Sequence, residues 1–205
     1  MKTNLRSVQR GYTAVEVLSA MTLFAIGAAG VIGMQRVTIQ GGTDARQFDM
    51  AVNIAHEWTN RLQRDSSYWT RPNAFDPQTT NLGTDTRWIK DVATCNVNFC
   101  TPPAAAPEAG LSGSFDIFGR DLPAASPDAT YCAQYRLEWL IDPGPPPNMN
   151  PQALMRAEVR VFFSRTDRMP AGDCAGAAAI ADSALANERL HFVYATTTIR
   201  QWQAR

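Results

Sequence analysis

Residues 17–35 form a run of nineteen positions without a charge, directly behind a single carboxylate, Glu16. At ~1.5 Å of rise per helical residue, that is about the length needed to cross the ~30 Å hydrocarbon core of a bilayer. An acid costs roughly 2.5–3.5 kcal/mol near a bilayer centre and less toward its edge, so Glu16 reads as a residue the chain uses. The eleven residues before Tyr12 hold Lys2, Arg6 and Arg10 and no acid. That bias keeps the N-terminus on the cytoplasmic side and sends the rest of the chain outward.

Three readings compete for this segment. A cleaved secretory signal has a basic start, an apolar stretch of about 7–15 residues and a small-residue cleavage site. Ala28 and Ala29 are small enough, but Glu16 interrupts the run and the run is long. A plain signal anchor leaves Glu16 without a purpose. In the third reading, Gly11, Tyr12, Thr13, Val15, Glu16, Val17 and Leu18 resemble the Gly/aromatic-Thr-x-x-Glu-Val-Leu start of type IV pilins and pseudopilins. Residues 21–35 are similar to the same stretch of PilV-type minor pilins. The resemblance covers about the first 35 residues, with Tyr12 in place of the commoner phenylalanine.

The resemblance implies that a membrane-embedded prepilin peptidase cuts after Gly11 and methylates the new amine of Tyr12. Glu16 then lies one helical turn from a cation, where the helix dipole also favours an acid. Inside a bundle of such helices the carboxylate is tolerable when paired with that ammonium. The resemblance further implies a non-enzymatic minor pilin that primes pilus assembly at the inner membrane and sits at or near the tip. Its partners would be other minor pilins, the major pilin and, in some systems, a tip adhesin. The precursor would span the inner membrane once, and the mature chain would reach the cell surface. A minor pseudopilin of a type II secretion system fits the same residues. A membrane-anchored periplasmic enzyme or binding module is the rival from another class.

The rest of the chain reads as an exported body. Charges balance at 19 basic and 19 acidic residues, and without residues 1–11 the balance is −3. No basic patch argues for nucleic acid. The expected partition is a leader at 1–11, a membrane or filament-core helix at 12–35, its outer half at 36–66 and a globular domain at 67–205. Phe48, Ala51, Val52, Ala55, Trp58 and Leu62 fall on one helical face, with Gly41-Gly42 as an expected bend and an expected end near Ser66. Gly27, Gly30 and Gly33 ease local melting or close helix approach, or simply reflect the glycine content of membrane helices. Loop signals follow at Arg71-Pro72 and Asp76-Pro77.

Residues 70–130 show little periodicity, with 88–92 and 115–118 as the orderable pieces and 102–110 as a low-complexity stretch. Segments 131–141, 155–163 and 190–199 read as strands of one antiparallel sheet, the first with Gln134, Arg136 and Glu138 facing solvent. The expected fold class is therefore α+β, a long N-terminal helix packed on a C-terminal antiparallel sheet. The segment at 143–151 joins the first two strands, and an alanine-rich insert at 171–187 joins the second pair.

Four cysteines, Cys95, Cys100, Cys132 and Cys174, all lie beyond the membrane, in an oxidising compartment if the topology holds. They admit three pairings, among which sequence alone does not choose. If strands 131–141 and 155–163 are antiparallel neighbours, Cys132 comes within reach of Cys174, which favours Cys132 with Cys174 and Cys95 with Cys100. A zinc site is the rival reading, but Cys95-x4-Cys100 has no second tight pair and no histidine at ligand spacing. No metal and no cofactor is expected. His56 and His191 read as surface or packing residues, and Tyr68, Trp69 and Trp88 as core, with exposed adhesion contacts as the rival reading. Gly110-Leu111-Ser112-Gly113-Ser114 lacks the second glycine of a nucleophile elbow, and no phosphate-binding loop is present, so no catalytic residue is assigned.

Overall fold

A computed structural model describes residues 12–69, 82–102, 112–124, 126–144, 152–164, 169, 174–183 and 189–201. The leader with Gly11, the loop signals at 71–72 and 76–77, residues 103–110, most of the 143–151 connection and both ends of the alanine-rich insert lie outside the described residues. The chain divides into two compact units, Met1–Arg46 and Gln47–Arg205.

One helix, α1 (Ala14–Trp69), contributes to both. In the first unit it is long and apolar enough to cross a membrane, and its most apolar window has no buried residue. Leu18, Met21, Leu23, Phe24, Ile26 and Ile32 are all exposed. The helix runs unbroken through Gly41 and Gly42. Each glycine costs about 1 kcal/mol relative to alanine, too little to break a helix with long flanks. α1 ends at Trp69, three residues past the expected end.

In the second unit the buried stripe of α1 is Ala51, Ile54, Ala55, Trp58, Arg61, Leu62, Asp65 and Trp69. This is the expected i, i+3/i+4 pattern, rotated slightly: Val52 and Phe48 sit at the exposed margin, while Ile54 is inside. The stripe packs on one face of a four-stranded antiparallel sheet ordered β1-β2-β3-β4. The strands are β1 (Ser114–Phe115), β2 (Tyr131–Ile141), β3 (Leu154–Ser164) and β4 (Leu190–Arg200). β2 and β3 pair from Tyr131↔Phe163 onward, with a register shift between Trp139 and Ile141, while β3 and β4 pair without a break. Because side chains alternate, Tyr131, Ala133, Tyr135 and Leu137 join Met155, Ala157, Val159, Val161 and Phe163 under α1. Trp58 stacks on Tyr135 at 6.2 Å, and Trp69 meets Trp139 edge-on at 5.6 Å.

The opposite face departs from the expected polar-out pattern. Its lower end is covered by α3 (Cys174–Ala181), whose Ala177 and Ala181 pack with Cys132, Phe162 and Leu190. Gln134, expected in solvent, is buried together with Arg160. Both polar groups survive burial because they are paired: Arg160 donates to Gln134 Oε1 and, at 2.7 Å, to Asp182 Oδ1, while its guanidinium lies 4.2 Å from the Phe99 ring centre. Further along, Arg136 with Glu158 and Arg156 with Glu138 form cross-strand ion pairs, and the Arg136 guanidinium lies 5.0 Å from the Phe99 ring centre.

The region of low periodicity holds more structure than the sequence suggested. It carries a short helix α2 (Leu82–Asp85), a 3-10 helix (Ile89–Ala93) and β1. β1 sits so close to β2 that a Cβ on Gly113 would collide with the Ala133 carbonyl, so glycine is required there.

Candidate functional site

Glu16 and its neighbours lie at the head of α1. Thr13 precedes the first helical residue, and its carbonyl accepts from the amides of Glu16 and Val17 at 3.0 and 3.2 Å. Its hydroxyl also accepts from the Glu16 amide, at 3.3 Å. Thr13 is therefore an N-cap, and Glu16 occupies the third helical position. Thr13-x-x-Glu16 is the sequence form of a capping box, a signal readable in advance that the expectations did not use. Tyr12 lies outside the helix with 84% of its surface exposed. Tyr12, Glu16, Ala20 and Phe24 follow one another at i, i+4 spacing, and with Val17 and Met21 they line a shallow, almost wholly apolar groove. Glu16 is the one charged side chain among residues 12–35.

Besides Arg160, the second unit holds two buried charges on α1 that sequence reading missed. Arg61 makes a bidentate pair with Asp121 at 2.7 and 3.0 Å and donates to Glu57 at 3.2 Å. Its guanidinium also lies over Trp58 and Phe115. Burial works against the Arg61 charge, but Asp121 and Glu57 outweigh it and raise its pKa. Asp65, four residues on, accepts from the backbone amides of Arg87, Trp88 and Ile89 at 2.8, 2.8 and 3.0 Å. It caps the 3-10 helix from another element, because Trp88 has no capping side chain of its own. Both residues thus fasten the long connection to α1. The open cleft beside them, with Arg64, Tyr68, Asp85 and Arg87 on its walls, is lined with charges of both signs.

The four cysteines form two disulfides, Cys95–Cys100 and Cys132–Cys174, and none is free. Neither pair offers a thiolate to a metal. Cys174 begins α3, so the second bridge ties that helix to β2. Trp69 and Trp88 are buried, whereas Tyr68, expected in the core, is 53% exposed. Tyr68 faces away because it stands one residue off the buried stripe. His56 is exposed, and His191 packs against Phe48 and Phe163 at ring distances of 5.1 and 5.2 Å.

The chain matches no protein-family model, no curated protein and no solved structure.

Proposed function

We propose that the chain is a minor pilin, a non-enzymatic structural subunit that primes type IV pilus assembly at the inner membrane and stays at or near the pilus tip. The observation that carries this reading is the placement of Glu16. It is the lone charge among residues 12–35, the exposed apolar part of α1, in that helix's first turn and five residues after Gly11. The N-cap at Thr13 supports it. The helix starts just beyond the Gly11–Tyr12 bond, which leaves Tyr12 exposed and non-helical. A carboxylate among apolar side chains calls for a cation when those side chains are covered, and the amine released at Tyr12 would supply one. The α+β body with two disulfides suits an oxidising compartment outside the cytoplasm.

In this reading Gly11 and Tyr12 flank the cut made by the prepilin peptidase, Tyr12 carries the methylated amine, and Glu16 forms the assembly charge pair. Other minor pilins and the major pilin are the partners. The test is mass spectrometry of the N-terminal peptide from purified membranes or filaments. The expected peptide begins at Tyr12 with a methylated amine. A terminus near Gly30, or an intact Met1, overturns the reading.

A further inference from the structure

The outer edge of β2 is closed by two separate pieces of chain. β1 pairs with Tyr131 and Cys132, and the Gly113 carbonyl accepts from the Ala133 amide at 2.7 Å. Beyond Ala133 the cover is residues 95–101. The amides of Tyr135 and Leu137 donate to the carbonyls of Cys100 and Cys95 at 3.0 and 2.8 Å, and the Cys100 amide donates to the Tyr135 carbonyl at 2.8 Å.

This stretch hooks around the edge, from one face of the sheet to the other. Cys95 is buried with Ile89, Val92 and Leu137 in the core beneath α1. Phe99 lies on the opposite face, its ring centre 4.2 Å from the Arg160 guanidinium, 5.0 Å from that of Arg136 and 6.2 Å from the Tyr194 ring of β4. Thr101 accepts from Gln134 on that same face at 3.0 Å. The Cys95–Cys100 disulfide closes the hook at its base.

The two disulfides are not equally guarded. Cys95, Cys132 and Cys174 are 2%, 1% and 3% exposed, so both residues of the second bridge are inside. Cys100 is the one partly exposed cysteine. Accessible disulfides are the labile kind, and a separation of five residues costs little entropy to close again, so this bridge can both open and re-form.

We propose that Cys95–Cys100 is a redox latch: a dithiol reductant opens it while Cys132–Cys174 stays intact, and its opening releases the hook from β2 and from Arg160. A thiolate of the dithiol attacks the Cys100 sulfur, and Cys95 leaves as a thiolate that takes up a proton. The second sulfur of the dithiol then displaces Cys100, so two electrons and two protons pass to the pair and the reductant ends as a disulfide. Release removes the acceptors of the Tyr135 and Leu137 amides and the aromatic cover of Arg160, which also holds Asp182 just beyond α3. One bond thus controls both the β2 edge and the far face. In an exported domain the matching reductant is a dithiol protein of that compartment. That class rests on the exported placement proposed above, whereas the selectivity of the bond does not.

The test uses the purified full chain in detergent, equilibrated with mixtures of reduced and oxidised dithiothreitol, its free thiols trapped by alkylation and mapped by mass spectrometry. Cys95 and Cys100 should be half reduced at a reduced-to-oxidised ratio about tenfold or more below the one that opens Cys132–Cys174. At an intermediate ratio, amide exchange at Tyr135 and Leu137 should rise about tenfold, Ala133 should not change, and oxidised dithiothreitol should reverse the rise. The double variant Cys95→Ser with Cys100→Ser should exchange fast without reductant and ignore the intermediate ratio. Opening of both bridges together, opening of Cys132–Cys174 first, or selective opening with unchanged exchange at Tyr135 and Leu137 overturns the proposal. Slow exchange in the double variant, or a response to reductant that persists in it, does the same. The N-terminal peptide is read from the same sample. Selective opening in a chain that lacks a methylated Tyr12 supports the latch while sinking the pilin reading.

Discussion

Glu16 stands at the third position of α1, where its amide donates to the Thr13 hydroxyl and where the capping-box sequence and the helix dipole favour an acid. The local contribution is about 0.3–1 kcal/mol, far below the cost of an unpaired carboxylate in an apolar seam. The two roles separate by substitution. Glutamine also serves in a capping box but carries no charge, so Glu16→Gln and Glu16→Ala should both leave the chain inserted and cleaved while lowering its co-purification with other pilus subunits. Recovery of Glu16→Gln at the wild-type level would reduce Glu16 to a capping residue. In the second unit, burial raises the Tyr135 pKa, and Asp91, whose carboxylate accepts from the phenol at 3.4 Å, raises it further, with Asp65 adding to the effect. Burial alone raises Tyr131. Because the folded pKa values lie above the unfolded one, the stabilisation is complete below about pH 10 and is lost as pH rises beyond it. The thermal midpoint should therefore begin to fall near pH 10, with a shallower fall in Tyr135→Phe. Equal slopes in the two proteins would remove Tyr135 from the account.

At the scale of elements, legibility followed the strength of the local pattern. β2 was readable to the residue because Tyr131, Ala133, Tyr135 and Leu137 alternate cleanly with polar neighbours, and β3 and β4 were readable to within one residue at each end. The burial of Gln134 and Arg160 was not readable, since their further partners, Thr101 and Asp182, lie 33 and 22 residues away in the chain. Arg61 and Asp65 were hidden because their partners lie 60 and 22–24 residues away in the chain. The Cys132–Cys174 pairing was approachable because it follows from the β2–β3 register, which places Cys132 opposite Phe162 near the end of β3. That bridge spans 42 residues, for which loop entropy gives about 4 kcal/mol, while Cys95–Cys100 spans 5 and earns about 2. Cys132→Ser or Cys174→Ser should accordingly cost about 4 kcal/mol in denaturant unfolding and open the chain to protease around α3. Cys95→Ser should cost less but speed amide exchange at Tyr135 and Leu137, whose acceptors sit in the small loop. Unchanged exchange at those two amides would mean that the loop keeps the β2 edge closed without its bridge.

Over the whole molecule, every buried apolar residue lies between Ala51 and Ile199, so among the described residues the second unit holds the entire core and the first contributes none. The described residues of the first unit lie almost entirely in the helix, and their large apolar side chains from Val15 to Ile39 are exposed. Contiguous apolar surface of that extent marks a membrane or protein contact. The consequence is a division of labour testable without any partner. Residues 47–205, made in an oxidising compartment, should be soluble without detergent and unfold cooperatively. The thermal midpoint should lie within a few degrees of that of the full chain in detergent, because the described residues among 1–46 include no buried side chain. The full chain should require detergent or lipid throughout. A fragment that aggregates, or that melts far below the full chain, would show that the first half of α1 stabilises the sheet domain as well as leading into it.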